Sequence, residues 1–216
     1  MIIPELLIKN CINLYNINIR GILHIGSHDC EELPFYTKEL AINANNIIWI
    51  DAADTKVKEA REKGIPNVFN ALITDNDDDI LMFNTANDSS SSSVFEFKTH
   101  SIIYPEIVYN EHNPIKTLTI DSFFVRNKIN SYNFNFWNLI IQGAELLALK
   151  GARESIIFVD VIITKIFTEE MYSGCALLKD IDTILNECGF VRIITEILPT
   201  GWGEAVYIRQ SLQLLY

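Results

Sequence analysis

The stretch Gly21 to Asp54, GILHIGSHDCEELPFYTKELAINANNIIWIDAAD, decides the fold. Ile22-Leu23-His24-Ile25 is a short apolar run rich in β-branched residues, as in a strand buried on both faces. Gly26, Ser27, His28 and Asp29 follow at once, and the residues after them predict a helix from about Cys30 to Leu40. A second buried run, Ile47-Ile48-Trp49-Ile50, ends on the acid Asp51. Strand, glycine turn, helix, strand and acid make the first half of a nucleotide-binding α/β domain. The glycine lets backbone approach a ligand closely, and a helix N-terminus offers unpaired N–H groups. Asp51 is placed to take the two hydroxyls of a ribose.

Outward from this stretch, residues 1–20 form a helical lead-in, with a helix over Pro4 to Asn13 that puts Leu6, Leu7, Cys11 and Leu14 on one side. Asp54 is a fair N-cap for a helix carrying Val57 and Ala60, closed by Gly64 and Pro66. Val68 to Ile73 reads as a third short strand and Ile80 to Phe83 as an alternating one. Residues 84–115 are loop-rich. Asn84 to Ser93, NTANDSSSSS, reads either as a flexible linker or as a ligand-facing loop, and the latter suits a chain too short for two domains. Val94 to Phe97 alternates like a strand, and His100 to Pro114 resembles a lid. Strands are expected at Lys116 to Ile120, Phe136 to Ile141, Ile156 to Ile163, Phe190 to Ile194 and Ala205 to Ile208. Helices are expected from Asp121 to about Lys128, over Ala144 to Leu149, and along the stripe Leu177 to Cys188. Alternating strands and helices call for a mostly parallel sheet with helices on both faces, and the last two strands must pair antiparallel.

Bulk properties bound the rest. A chain of 216 residues, 49% hydrophobic, supports one domain spanning 1–216. Its net charge of -11 and lack of a basic face argue against nucleic acid. No apolar run approaches the roughly 18 residues of a membrane span, and the N-terminus does not read as a signal peptide. Cys11, Cys30, Cys175 and Cys188 are scattered, without the spacing of a metal site or a disulfide framework. A reducing, cytoplasmic setting without a bound metal is expected, and a homo-oligomer is left open.

The dinucleotide fingerprint G-x-G-x-x-G fails, because its second and third glycine positions are His28 and Glu31. A pyrophosphate could not come close to this backbone, whereas a ligand without phosphates need not. Three strings carry a resemblance: Gly26 to Glu32 (GSHDCEE), Trp49-Ile50-Asp51, and Gln142 to Gly151 (QGAELLALKG). With Asn70-Ala71-Leu72, the serines before His100, Tyr172 with Gly174, Gly189-Phe190 and Trp202-Gly203, the chain resembles the FkbM family of S-adenosylmethionine-dependent methyltransferases from about Ile22 to Ile208. The resemblance implies a Rossmann-like class I methyltransferase fold. Its seven-stranded sheet is mostly parallel, with an antiparallel C-terminal strand and helices on both faces. It also implies O-methylation of a small molecule or glycan, commonly at a sugar hydroxyl of a glycan or nucleotide sugar.

By position, the resemblance assigns Gly26, Ser27 and His28 to the methionine end of S-adenosylmethionine, and Asp51 with Ala52 to the ribose. Asn70, Ala71 and Leu72 fall near the adenine, with Asp75 nearby, and Gln142 and Gly143 face the transferred methyl. Ser92, Ser93 and His100 border the acceptor. Tyr104, Tyr109 and Trp202 either stack on a sugar or pack inward. Two expected acids are absent: the family's aspartate two residues before Gln-Gly is Ile140, and the carboxylate at the end of the fifth strand is Lys165. A weakly acidic hydroxyl benefits from a base or from a charge that stabilises alkoxide. His100 or His28 takes the base role in this reading. The ammonium of Lys165 stands in for a metal's charge, pairs with Glu145 or Glu169, or merely faces solvent. The alternative is a degenerate member that binds cofactor or glycan without methyl transfer.

Overall fold

Asn138 marks the centre of the sheet, pairing in register with His24, which in turn pairs with Trp49. The computed structural model describes residues 1–215, with side chains through Leu212; Tyr216, the last residue of the expected unit, lies outside the described residues. Four fully or largely buried parallel strands form the middle of a seven-stranded sheet: β1 (Ile22–Ile25), β2 (Ile47–Asp51), β7 (Phe136–Leu139) and β8 (Val161–Phe167). Beyond β2 lies β3 (Val68–Asn70), and beyond β8 lie β10 (Trp202–Arg209) and then β9 (Phe190–Ile197). Strand β10 runs antiparallel to both neighbours, as expected from the missing helix between the last two strands.

The period-2 alternation of the strands splits the core in two. On one face Leu23, Ile48, Trp137 and Ile162 pack with Phe123, Leu149 and Leu185 from α4 (Ile120–Arg126), α5 (Glu145–Lys150) and α6 (Leu178–Glu187). On the other, Ile22, Ile47, Trp49 and Phe136 pack with Ile8 and Val57 from α1 (Glu5–Leu14) and α2 (Asp54–Glu62). A second sheet holds β4 (Leu72–Ile73), β6 (Tyr109–Leu118) and β5 (Ile80–Ala86) in the order β4-β6-β5.

Several expectations are corrected. The helix expected after the glycine turn is cut short: His28 and Cys30 take positive φ, which breaks the helical path, and helical structure runs only over 33–39, with Phe35–Glu39 π-helical. Helix α1 buries Ile8, Cys11 and Ile12, leaving Leu6 68% exposed with Leu7 and Leu14 also exposed. The run Val68 to Ile73 is split at Ala71 between the two sheets. Val94 to Phe97 forms no strand, only a bridge from Phe97 to Tyr172. The end of the expected lid, from Tyr109 on, is strand β6 (Tyr109–Leu118), led by the short helix α3 (His100–Ile103). Ile156 to Phe158 is a 3-10 turn, and the central strand starts later, at Val161. Asp54 begins helix α2 rather than capping it.

Candidate functional site

The tips of β1, β2, β7 and β8 open into one cleft of about 430 Å³, within the range of small-ligand sites. At the first tip the N–H groups of Gly26 and Ser27 both donate to the Ile50 carbonyl, at 2.8 and 3.1 Å. Gly26 takes φ +83°, and a Cβ there would lie 1.9 Å from the Ile140 carbonyl oxygen. The glycine is therefore required first by the close passage of β1 against the end of β7.

The turn presents His28 N–H to Asp51 Oδ2 at 2.8 Å, and Ala53 N–H donates to Oδ1 at 2.9 Å. Burial pushes the Asp51 carboxyl above its ordinary pKa, opposed by those two amides. Each oxygen keeps a further lone pair for a ligand. Asn70 is exposed and does not line the cleft; its side-chain amide donates to the carbonyls of Asp51 and Ala52, both at 3.0 Å. Ala52, Ala71 and Leu72 do line it. Asp75 does not. The His28 ring has both nitrogens engaged, Nε2 with Ser89 Oγ at 2.8 Å and Nδ1 with Asp29 at 3.3 Å. Among the described residues, His28, Asp29 and Glu31 are the one set able to reach a common cation, and Asp29 already pairs with Lys56 at 3.1 Å.

After β7, Gln142 and Gly143 turn with φ +54° and +103°. The buried Glu145 holds this turn by accepting from Ile141 N–H at 2.8 Å and Gly143 N–H at 2.9 Å. Burial raises the Glu145 carboxyl to about 7, against the pull of those amides and of Lys165. Gln142 lines the cleft, and its Oε1 accepts from Tyr172 Oη at 3.1 Å. Gly143 does not line it; the space where a Cβ would sit is taken by Cys175 at 2.8 Å. Ser92 lines the cleft, while Ser93 lies behind it and donates to the Gln142 carbonyl at 2.7 Å.

The far wall joins β8, β10 and the segment before α3. Lys165 pairs across the strands with Glu204, and its Nζ lies 4.1 Å from the Trp202 ring centroid. Burial lowers the ammonium to about 8, despite the attraction of Glu145, Glu204 and Asp88. Glu145 is thus among its partners and Glu169 is not; Glu169 abuts Gly201. His100 is 4% exposed, and its buried Nδ1 has no hydrogen-bond partner. Its ring stacks on Phe97 at 4.2 Å and 7°, and Phe97 stacks in turn on Tyr109 at 3.9 Å. Burial and the nearby Lys165 charge hold the imidazole below its usual pKa. Tyr104 and Trp202 both face the cleft, with Trp202 Nε1 donating to Tyr104 Oη at 3.4 Å. Tyr109 does not; its Oη donates to the Phe95 carbonyl at 2.7 Å. Ile140, in place of the expected acid, also lines the cleft.

The methyltransferase FkbM domain family matches residues 15–192. This chain belongs to the FkbM methyltransferase family. The methyl donor of an FkbM methyltransferase is S-adenosylmethionine, and the strand order β3-β2-β1-β7-β8-β10-β9 is that of class I methyltransferases. No curated protein matches the chain. Similar solved structures include magnesium protoporphyrin IX methyltransferase from Synechocystis with bound SAM, 11% identical over 95% of this chain and 79% of that one, TM-score 0.45. Another is a SAM-dependent methyltransferase from Aquifex aeolicus, 13% identical over 93% of this chain and 88% of that one, TM-score 0.43. No helix among the described residues is long and apolar enough to cross a membrane.

Sequence reasoning alone gives Glu204 and Asp88 no site role, and it places Glu145 only as one possible partner of Lys165. Glu204 follows the Trp-Gly pair and Asp88 directly precedes the serines; antiparallel register sets Glu204 opposite Lys165, and Asp88 shares the cleft with it.

Proposed function

We propose that this methyltransferase transfers the methyl group to a sugar hydroxyl, with His100 as proton acceptor and Lys165 as the charge that stabilises the developing alkoxide. The observation that carries this reading is that His100, whose buried Nδ1 has no hydrogen-bond partner, lines the same cleft as Lys165. The cleft residues fit S-adenosylmethionine: Asp51 offers a pinned carboxylate to a ribose, Ala71, Leu72 and Ile73 offer an apolar wall to adenine, and a predominantly acidic lining suits a sulfonium. When bound, that cofactor supplies an electrophilic methyl. The chain's residues do the rest. His100 is neutral at pH 7, so it can take the hydroxyl proton as the oxygen attacks. Lys165, still protonated below about pH 8, faces the oxygen as charge builds. Tyr104 and Trp202 offer aromatic faces to the sugar ring. The four cysteines are unpaired, in keeping with a reducing, cytoplasmic setting.

The test is the pH profile of kcat/KM with a methyl-accepting sugar. It should rise along a limb below pH 6.5 and fall near pH 8, the signs given by a base of lowered pKa and an acid of about 8. His100→Ala should lose the acid limb and roughly 10²- to 10⁴-fold in rate. Lys165→Met should lose the alkaline limb and roughly 10²- to 10³-fold. Full activity in His100→Ala would overturn the assignment.

A further inference from the structure

The sugar reading leaves open whether the acceptor is a free glycan or a nucleotide sugar, and the cleft discriminates between them. Five carboxylates line it, from Glu31, Glu32, Asp51, Asp88 and Glu204, against two lysines, Lys56 and Lys165. No arginine does. Neither lysine is set to clamp a pyrophosphate: Lys56 is held in ion pairs, and Lys165 is the single charge kept for the acceptor oxygen. Lys56 Nζ lies 3.1 Å from Asp29 and 3.5 Å from Glu59, and Lys165 faces Glu145, Glu204 and Asp88. The amine of Met1, which also borders the cleft, is 3.5 Å from Glu32.

A second, independent observation concerns the backbone. Proteins bind pyrophosphate with arginine forks, lysines or unpaired amides at a glycine turn. Here five amides of the two turns, those of Gly26, Ser27, His28, Ile141 and Gly143, already have acceptors within the chain. Gly26 and Ser27 donate to the Ile50 carbonyl, and His28 donates to Asp51. At the other turn Ile141 and Gly143 donate to Glu145, so a carboxylate occupies the place a phosphate would use.

We infer that the acceptor hydroxyl sits on an uncharged sugar, a glycan or simple glycoside free of phosphate, and that nucleotide sugars are rejected by the carboxylates of the acceptor side, Asp88 and Glu204. This rests on the sugar reading above. Like charges placed across a binding site discriminate more sharply than a missing attraction does. A divalent cation bridging pyrophosphate to His28, Asp29 and Glu31 is the one escape, and Asp29 is already held by Lys56.

The experiment measures labelled methyl transfer to three forms of each common hexose: the methyl glycoside, the sugar 1-phosphate and the nucleoside-diphosphate sugar, with and without magnesium. The glycoside should be preferred at least tenfold in kcat/KM over both phosphorylated forms, with or without the metal. Asp88→Asn keeps a side chain able to cap the turn at Ser89 while removing one charge, and should raise the phosphate-to-glycoside rate ratio severalfold. Calorimetry with inorganic pyrophosphate should detect no binding at millimolar concentration. A nucleotide sugar that outperforms its glycoside, or pyrophosphate that binds, overturns this inference and leaves the sugar reading standing. Failure of every form to accept methyl, in protein that still binds S-adenosylmethionine, overturns the sugar reading and this inference with it.

Discussion

The half of the cleft on β1 and β2 is fixed by backbone hydrogen bonds, whereas the half facing it on β8, β10 and residues 88–104 is fixed by side-chain packing. Asp51 is held by two amides, and the His28 ring is bonded at both nitrogens. His100, opposite, has a buried nitrogen with no partner and keeps its plane by stacking on Phe97. Lys165 lies over Trp202 instead of in a close ion pair. The first half is thus set by local chain geometry and can place a common cofactor. The second is set by rings and charges brought from distant segments, and it can change its acceptor without disturbing the sheet.

The comparison predicts its largest effect where backbone meets backbone. Gly26→Ala puts a methyl group 1.9 Å from the Ile140 carbonyl at φ +83°. The expected loss is about 3 kcal/mol of stability or more, read as a fall in urea midpoint together with loss of cofactor binding. A variant as stable as the parent would show that the β1 turn is not rigid.

Next comes Glu145, the carboxylate that joins the two halves. Its folded pKa of about 7 stands above the ordinary value of 4.5. The sign follows: its contribution to stability is fully present below about pH 4.5 and is lost as pH rises through 7. The shift corresponds to about 3 kcal/mol as an upper bound. Glu145→Gln should abolish that slope, although it leaves one of the two amides without its acceptor. Urea unfolding of both proteins from pH 4.5 to 8 measures the difference, in which the opposite contributions of His24 and His100 cancel. Parallel curves would remove Glu145 from its titrating role.

A smaller effect is expected at Asp51. Asp51→Ala should weaken S-adenosylmethionine by about 1–3 kcal/mol, since a ribose diol would lose its acceptor. Calorimetry reads the affinity, and circular dichroism checks that the turn at His28 survives the loss of its bond. Unchanged affinity would move the cofactor out of this half.

This asymmetry also explains what the sequence made legible. Strands β1 and β2, the glycine between them and Asp51 lie within one continuous stretch whose hydrophobic period is local, so they could be read directly. The helix expected from Cys30 begins only at Leu33, because His28 and Cys30 take positive φ in a turn whose His28 N–H is held by Asp51, 23 residues away. The acceptor wall was only partly legible. Lys165 stood out as a departure from a family pattern, but its partner Glu204 is fixed by antiparallel register, and no periodicity encodes that. The inward turn of Ser93 and Gly143 depends likewise on Gln142 and Cys175 arriving from elsewhere in the chain.

Phe97 is where the smallest effect, and the sharpest test of the packing half, is expected. It is sandwiched between His100 and Tyr109, and its ring is the surface that orients the imidazole. Stacked aromatic pairs contribute roughly 0.5–1.5 kcal/mol beyond area burial, so Phe97→Leu should lower kcat/KM by about tenfold at most. Cofactor affinity should stay the same, because the hydrogen-bonded half is untouched. The loss should fall on kcat more than on KM if stacking orients the base, and Phe97→Tyr should recover it. A cavity effect would instead lower stability without moving kcat. Equal kcat in Phe97→Leu and the parent would mean that the imidazole is positioned by the substrate and not by the stack.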